Sequence, residues 1–107
     1  MTTFESSKLA NGVVPDTKTA VASPSGVKWL IHELNFSNIT ALPVSIQVFY
    51  NDGISKRQYA FDLPGDDSVS LAWGGNGFVI EDGETLEAQA SIAAAINYSI
   101  DGAIRTP

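Results

Sequence analysis

The stretch "FVIEDGETLEAQAS", residues 78–91, decides the fold class. It contains two short runs in which apolar and polar residues alternate, and Asp82-Gly83 lies between them. Alternation with a period of two places successive side chains on opposite faces of a strand. An Asp-Gly pair adopts the backbone angles of a tight turn at little cost. The stretch therefore predicts two β-strands that are joined by a turn.

The same alternation extends over most of the chain and predicts strands at 17–22, 27–37, 44–50, 54–63, 68–73, 78–81, 84–91 and 96–106. Turn-forming Gly, Pro, Asn, Asp and Ser residues separate these runs. Short strands with turns every 8–12 residues or so are typical of an antiparallel sandwich or barrel. We predict an all-β, jelly-roll-like antiparallel sandwich of about eight strands that spans residues 17–107. Residues 1–16 are expected to be a separate segment that a partner orders.

The composition of the chain limits its partners and its cofactors. The 107 residues include no cysteine, so they offer neither a disulfide nor a thiolate metal site. The formal net charge is −6, and the six basic residues are scattered, which makes nucleic acid a poor partner. No apolar run approaches the ~20 residues of a membrane span, and the first residues do not resemble a secretion signal. We therefore expect no nucleic acid, membrane or cofactor partner, and synthesis in the cytoplasm.

Few residues could carry out catalysis. His32 is the one histidine, and the alternation places it on the apolar face of the strand at 27–37, where a hydrogen-bonded structural role is expected. The carboxylates of the turns, among them Asp66 and Asp67, lack the spacing of a calcium loop or of a glycosidase pair. We expect no enzyme activity and no metal site.

The glycine loop at 74–77 lies between two aromatic residues and suggests a second possibility. Trp73, Asn76 and Phe78 could form a glycan-binding site, because an aromatic ring packs against the apolar side of a sugar. Glycine-rich loops also occur wherever the backbone folds back between two strands. The sequence is compatible with both interpretations.

The strand at 27–37 suggests a contact between subunits. If Leu30, Leu34 and Phe36 line the core, the alternation turns Trp29 and Ile31 outward. An exposed apolar face usually marks an interface, so Val27, Trp29 and Ile31 are the predicted oligomer contact. The opposite register, with Trp29 at an edge of the core, fits the pattern equally well.

The order of these segments resembles that of the small β-sandwich virion proteins of tailed bacteriophages. The resemblance covers most of residues 17–104 and is carried by Pro24, Gly26, Ile31, Leu34, Asn38, Leu63-Pro64-Gly65, Gly77, Ile80, Gly83, Leu86, Ser91, Asn97, Tyr98, Ile100 and Gly102.

The resemblance implies a capsid decoration protein, located on the virion surface, that stabilises the head by binding the major capsid protein. It also implies a homotrimer, which would match the local threefold axes of a capsid. Phe4 and Leu9 of the N-terminal segment are the expected capsid contacts. A component of the tail or of a fibre is the alternative within the same family.

Overall fold

The computed structural model describes residues 6–75 and 77–105, with side chains described from Leu9 onward. These residues form nine strands and no helix, so none of them belongs to a helix that could cross a membrane. The strands are β1 (Ser6–Val13), β2 (Thr19–Ala22), β3 (Lys28–Asn38), β4 (Val44–Asn51), β5 (Ser55–Leu63), β6 (Ser68–Ala72), β7 (Phe78–Ile80), β8 (Thr85–Ala90) and β9 (Ile96–Arg105).

The strands form two antiparallel sheets. One has the order β1-β9-β3-β6, with β7 also paired to β3, and the other has the order β2-β8-β4-β5. Because β6 and β7 pair with successive parts of β3 in the same direction, they act as one interrupted strand. The remaining order is that of two four-stranded sheets whose chain crosses repeatedly from one to the other, as in a jelly roll. The predicted all-β sandwich is confirmed.

All eight predicted strands are present, and β1 is an additional strand. It pairs with β9 from Ser6 opposite Ala103 to Val13 opposite Asn97. The predicted domain start at residue 17 therefore leaves out a strand that belongs to the sandwich. Its sequence, SSKLANGV, contains small and polar residues that hide the alternation. Residues 1–5 lie outside the described part of the chain.

The core lies between the sheets and follows the predicted alternation in most strands. In β4 the side chains of Val44, Ile46 and Val48 are buried, with polar residues between them. In β8 every second residue is buried in the same way. Burial of such side chains is the main favourable term in folding, at roughly 1.5–3 kcal/mol for a Val, Leu or Ile.

Strand β3 departs from simple alternation because it contains a β-bulge at His32. Opposite β9, Ile31 pairs with Gly102 and Glu33 pairs with Asp101, so His32 is an extra residue. A bulge shifts the side-chain alternation by one position. Ile31 therefore faces the core before the bulge, and alternate residues from Leu34 to Asn38 face it afterwards.

Because of the bulge, side chains of this strand are oriented differently from the prediction. Ile31 has no exposed surface, and Trp29 is partly buried against the core. The prediction that both point outward is therefore wrong, and the alternative register, with Trp29 at an edge of the core, is the one present. Ile31 cannot contact another copy of the folded sandwich. Leu30 is buried on the opposite face but is not part of the core cluster. His32 is exposed, so its predicted place on a buried apolar face is also wrong.

The bulge requires a glycine on the neighbouring strand. A Cβ atom at Gly102 would overlap the carbonyl oxygen of Leu30 and lie 3.1 Å from the backbone nitrogen of His32. Both are backbone atoms, so they can yield only if the two strands move apart. The residue that pairs with the bulge is thus restricted to glycine.

We expect Gly102→Ala to lower the free energy of unfolding by about 2 kcal/mol or more, since it forces backbone apart in a packed sheet. Urea unfolding followed by tryptophan fluorescence measures the change. Gly74→Ala is the matched control, because the added Cβ would meet no atom within 4 Å. Equal stability of the two variants would contradict the role given to Gly102.

Candidate assembly surfaces

The connections between strands gather at two opposite ends of the sandwich. One end, here called the apolar end, consists of the segments 14–18, 39–43, 64–67 and 91–95. The other, here called the charged end, consists of the turns 23–27, 52–54 and 81–84. Strand β1 begins and β9 finishes at the charged end, since Ser6 pairs with Ala103 and Lys28 pairs with Arg105.

Large apolar side chains are exposed at the apolar end. Of the five exposed large hydrophobic residues in the described part of the chain, four lie there: Val13, Ile39, Leu42 and Ile92. Ile39 is 57% exposed and Leu42 is 62% exposed. Scattered single apolar residues are ordinary on protein surfaces, whereas a group at one site usually marks an interaction surface.

This group was not predicted from the sequence, because the predictions relied on the strands. The signal lies in the loops "ITALP" (39–43) and "SIAAA" (91–95), where Ile and Leu occur beside the usual turn residues Thr, Pro and Ser. Ile and Leu do not favour turn geometry, so turn formation does not explain their presence in these loops.

Asn38 holds the loop at 39–43 in place. Its side chain is buried, with 3% of the residue exposed. The Nδ2 group donates to the carbonyl oxygens of Leu42 at 2.7 Å and Leu63 at 3.1 Å. The Oδ1 atom accepts from the backbone nitrogen of Thr40 at 2.9 Å and from its hydroxyl at 2.7 Å. One amide thus ties this loop to the last residue of β5.

Neighbouring segments brace the loop as well. The backbone nitrogen of Ile39 donates to the carbonyl of Ala95 at 3.0 Å, and that of Asp66 donates to Thr40 at 2.8 Å. Gly65 packs so closely on Ala41 that a Cβ would overlap the Ala41 backbone. The apolar side chains are therefore presented on a stiff surface, which reduces the ordering cost of binding.

We expect Asn38→Ala to destabilise the fold by about 2–3 kcal/mol, because it leaves buried carbonyl groups without their donor. Urea unfolding tests this, with Asn97→Ala as a control at an exposed position of β9. The control should lie within roughly 0.5 kcal/mol of the natural protein. A similarly small effect at Asn38 would show that its hydrogen bonds do not support the loop.

The structure places Trp73 and Phe78 of the proposed glycan site next to each other. Their ring centroids are 5.4 Å apart, and Trp73 also lies 6.1 Å from Tyr59 on β5. Both side chains are partly buried and pack against the core. The two rings pack between the edge strands β5 and β6–β7, and this packing role is enough to explain why aromatic residues occur there. Asn76 lies outside the described residues, and glycan binding stays a prediction.

The same aromatic group ends at Tyr50, whose ring contacts Phe78 with centroids 5.4 Å apart. The Tyr50 hydroxyl donates to Glu84 Oε1 at 2.5 Å, and Glu84 Oε1 also accepts from the backbone nitrogen of Glu81. The hydrogen bond to Glu84, with partial burial and nearby carboxylates adding to it, raises the pKa of Tyr50 from 10.0 to about 12. The link joins β4 to the turn that precedes β8.

Because of this raised pKa, we expect the free energy of unfolding to decrease as the pH rises through a defined range. A group whose pKa is higher in the folded state contributes stability below its unfolded pKa and loses it as the pH rises through its folded pKa. The loss attributable to Tyr50 therefore falls between pH 10 and about 12. Tyr50→Phe should be less stable at pH 8 and show a shallower decline over that window in urea unfolding. Parallel curves above pH 10 would contradict the assignment.

Phe4, Leu9 and Val27 are the remaining predicted site residues. Phe4 lies outside the described residues, and Leu9 is partly buried against the core. Val27 is partly buried before the start of β3. The predicted capsid contact at Phe4 and Leu9 therefore stays a prediction.

Metal-ligating clusters and surface grooves are the other places where a site could lie. The described residues contain no group of three or more His, Asp or Glu residues placed to hold a metal ion. A shallow groove of about 270 Å³ lies along β4 and β5, lined by residues such as Gln47, Arg57 and Asp62. Asp62 accepts a 2.6 Å hydrogen bond from the Ser45 hydroxyl there.

Comparison with known proteins shows a likeness of fold. No model of a protein family matches the sequence, and no curated protein is significantly similar to it. Among solved structures, the chain is similar to one described under the words "Bacillus endospore appendages form a novel family of disulfide-linked pili". The TM-score is 0.57 and the sequence identity is 18%, over 99% of this chain and 89% of the other. Such a likeness supports the fold alone. The present sequence has no cysteine with which to form a disulfide link.

Proposed function

We propose that this chain is a structural protein that functions by assembling into a larger protein structure, and not by catalysis. The observation that carries the proposal is the apolar end. Ile39, Leu42 and Ile92 remain exposed although the core between the sheets is filled. Burying exposed apolar side chains of this size favours association.

Two further observations support the proposal. The solved structure with a similar fold is described in terms of pili, and a subunit role for this sandwich is compatible with that likeness. The Asn38 hydrogen bonds make the apolar end stiff, as a repeated contact requires. A stiff subunit that makes several weak contacts attaches tightly, because later contacts form at high effective concentration.

The more detailed proposal follows from the resemblance to tailed-bacteriophage proteins. The chain would act as a decoration protein on the virion, bound as a trimer to the major capsid protein. The apolar end would then be its footprint on the shell. A specific interface of this kind buries on the order of 800 Å² per partner.

A subunit of a fibre or tail is the second candidate, and the likeness to a pilus protein favours it. In that case the apolar end would contact another copy of the same chain. The two candidates differ in the partner, since one requires a shell protein and the other requires only more of this chain.

We expect the protein to self-associate or to bind capsids, and the apolar end to be required in either case. Sedimentation velocity over a range of concentrations tests the first, and cosedimentation with empty phage capsids tests the second. Leu42→Asp combined with Ile39→Asp should weaken the association about tenfold or more with little change in stability, since Leu42 is 62% exposed and Ile39 is 57% exposed.

Ala60→Asp, at an exposed position on β5, is the matched control and should leave the association unchanged. A protein that stays monomeric at high concentration and does not bind capsids would overturn the proposal. So would association that is equally strong in the control and in the double variant.

A further inference from the structure

We propose that the apolar end of one copy docks head-to-tail on the charged end of a second copy. This inference rests on the proposed self-assembly and specifies its geometry. Its basis is the unequal distribution of charge between the two ends, together with the one large exposed hydrophobic residue of the described chain that does not lie at the apolar end.

Acidic residues surround the apolar end, and the one basic residue in its segments, Lys18, extends its ammonium group away from it to Ser55. The acids there are Asp16 in the segment after β1, Asp62 near the end of β5, and Asp66 and Asp67 in the following turn. Asp62 lies one position from the last pair of β4 and β5. The apolar side chains are thus bordered by negative charge.

Each of the six Lys and Arg residues lies towards the charged end or at mid-sheet. In the strand register Lys28 lies opposite Arg105, and Lys56 lies opposite Tyr50 near the turn at 52–54. The turns of this end also contain acids, and two of the bases are in ion pairs with them: Lys28 with Glu81 at 3.2 Å and Lys56 with Asp52 at 3.1 Å. Lys18 reaches the same region, since its Nζ donates to Ser55 at 3.1 Å. The other two are Arg57, opposite Phe49, and Lys8, opposite Asp101 at mid-sheet.

This distribution distinguishes between two ways of pairing copies. If two apolar ends met symmetrically, both acidic borders would face each other, and like charges across an interface disfavour binding. Head-to-tail docking instead places the acidic border against an end where acids and bases occur together and partly neutralise each other. The head-to-tail orientation therefore avoids much of the like-charge repulsion of the symmetric one.

Ile54 supplies an apolar contact at the charged end. It lies in the turn between β4 and β5 and is 72% exposed, more than any other large hydrophobic residue described. In a head-to-tail contact it would meet the group that contains Leu42 and Ile92. A contact between different surfaces leaves one free surface at each end, so it extends into a chain of subunits unless it closes into a ring.

Cysteine cross-linking tests this geometry, because the natural chain has no cysteine to interfere. We expect an equimolar mixture of Leu42→Cys and Ile54→Cys proteins to form disulfide-linked dimers under mild oxidation. A chain that carries both substitutions should form a ladder of longer oligomers on a non-reducing gel.

Two matched reactions serve as controls. Leu42→Cys alone reports on symmetric contact, and Ala60→Cys mixed with Ile54→Cys reports on random collision. Both should cross-link at least about tenfold more slowly than the Leu42 and Ile54 mixture. Faster reaction of Leu42→Cys alone would overturn the proposal in favour of a symmetric dimer.

Equal rates in the Leu42 and Ala60 mixtures would also overturn it. Sedimentation then distinguishes a failure of the head-to-tail geometry from a failure of self-assembly itself. Oligomers that persist without the Leu42–Ile54 cross-link would leave self-assembly standing and exclude only the head-to-tail geometry. A monomer that binds capsids through its apolar end would show that the occupant is a shell protein and not a second copy.

Discussion

The extra residue in β3 is the constraint on which the rest of the sandwich depends. With the bulge at His32, β3 contributes Ile31 to one part of the core and Leu34 and Phe36 to the other. A strand of regular alternation could not bury both sets on the same face. The bulge also coincides with the interruption between β6 and β7, where the backbone nitrogen of Trp73 donates to the His32 carbonyl at 3.0 Å. Gly102 makes room for the irregular backbone on the other side.

The hydrogen bonds of the buried Asn38 side chain hold the apolar end in place. Asn38 is the last residue of β3, and its amide group spans from the following loop to β5. A buried amide with several partners costs little when all are satisfied and a great deal when one is lost. The bulge positions this side chain inward, because the alternation that it resets places Asn38 on the core side. One irregularity in β3 therefore determines the core and the geometry of an exposed surface.

These features explain how much of the structure could be predicted from the sequence. Strands such as β4 and β8 were predictable because buried and exposed residues alternate without interruption. The inward position of Ile31 was not, since a bulge leaves the apolar spacing of "WLIHELNF" compatible with two registers. Strand β1 was missed because it gains its order from pairing with β9 and not from an apolar pattern of its own. The apolar end was missed because it is built from four segments far apart in sequence.

The common position of the first and last described residues has a practical consequence. Ser6 and Arg105 both lie at the charged end. Any polypeptide joined there would emerge at the charged end and away from Leu42. Under the proposed head-to-tail contact, a bulky fusion would obstruct the charged end and leave the apolar end open, so a fused subunit could add only at one end of a row of subunits. The ratio of fused to unfused chains would then set the length of that row.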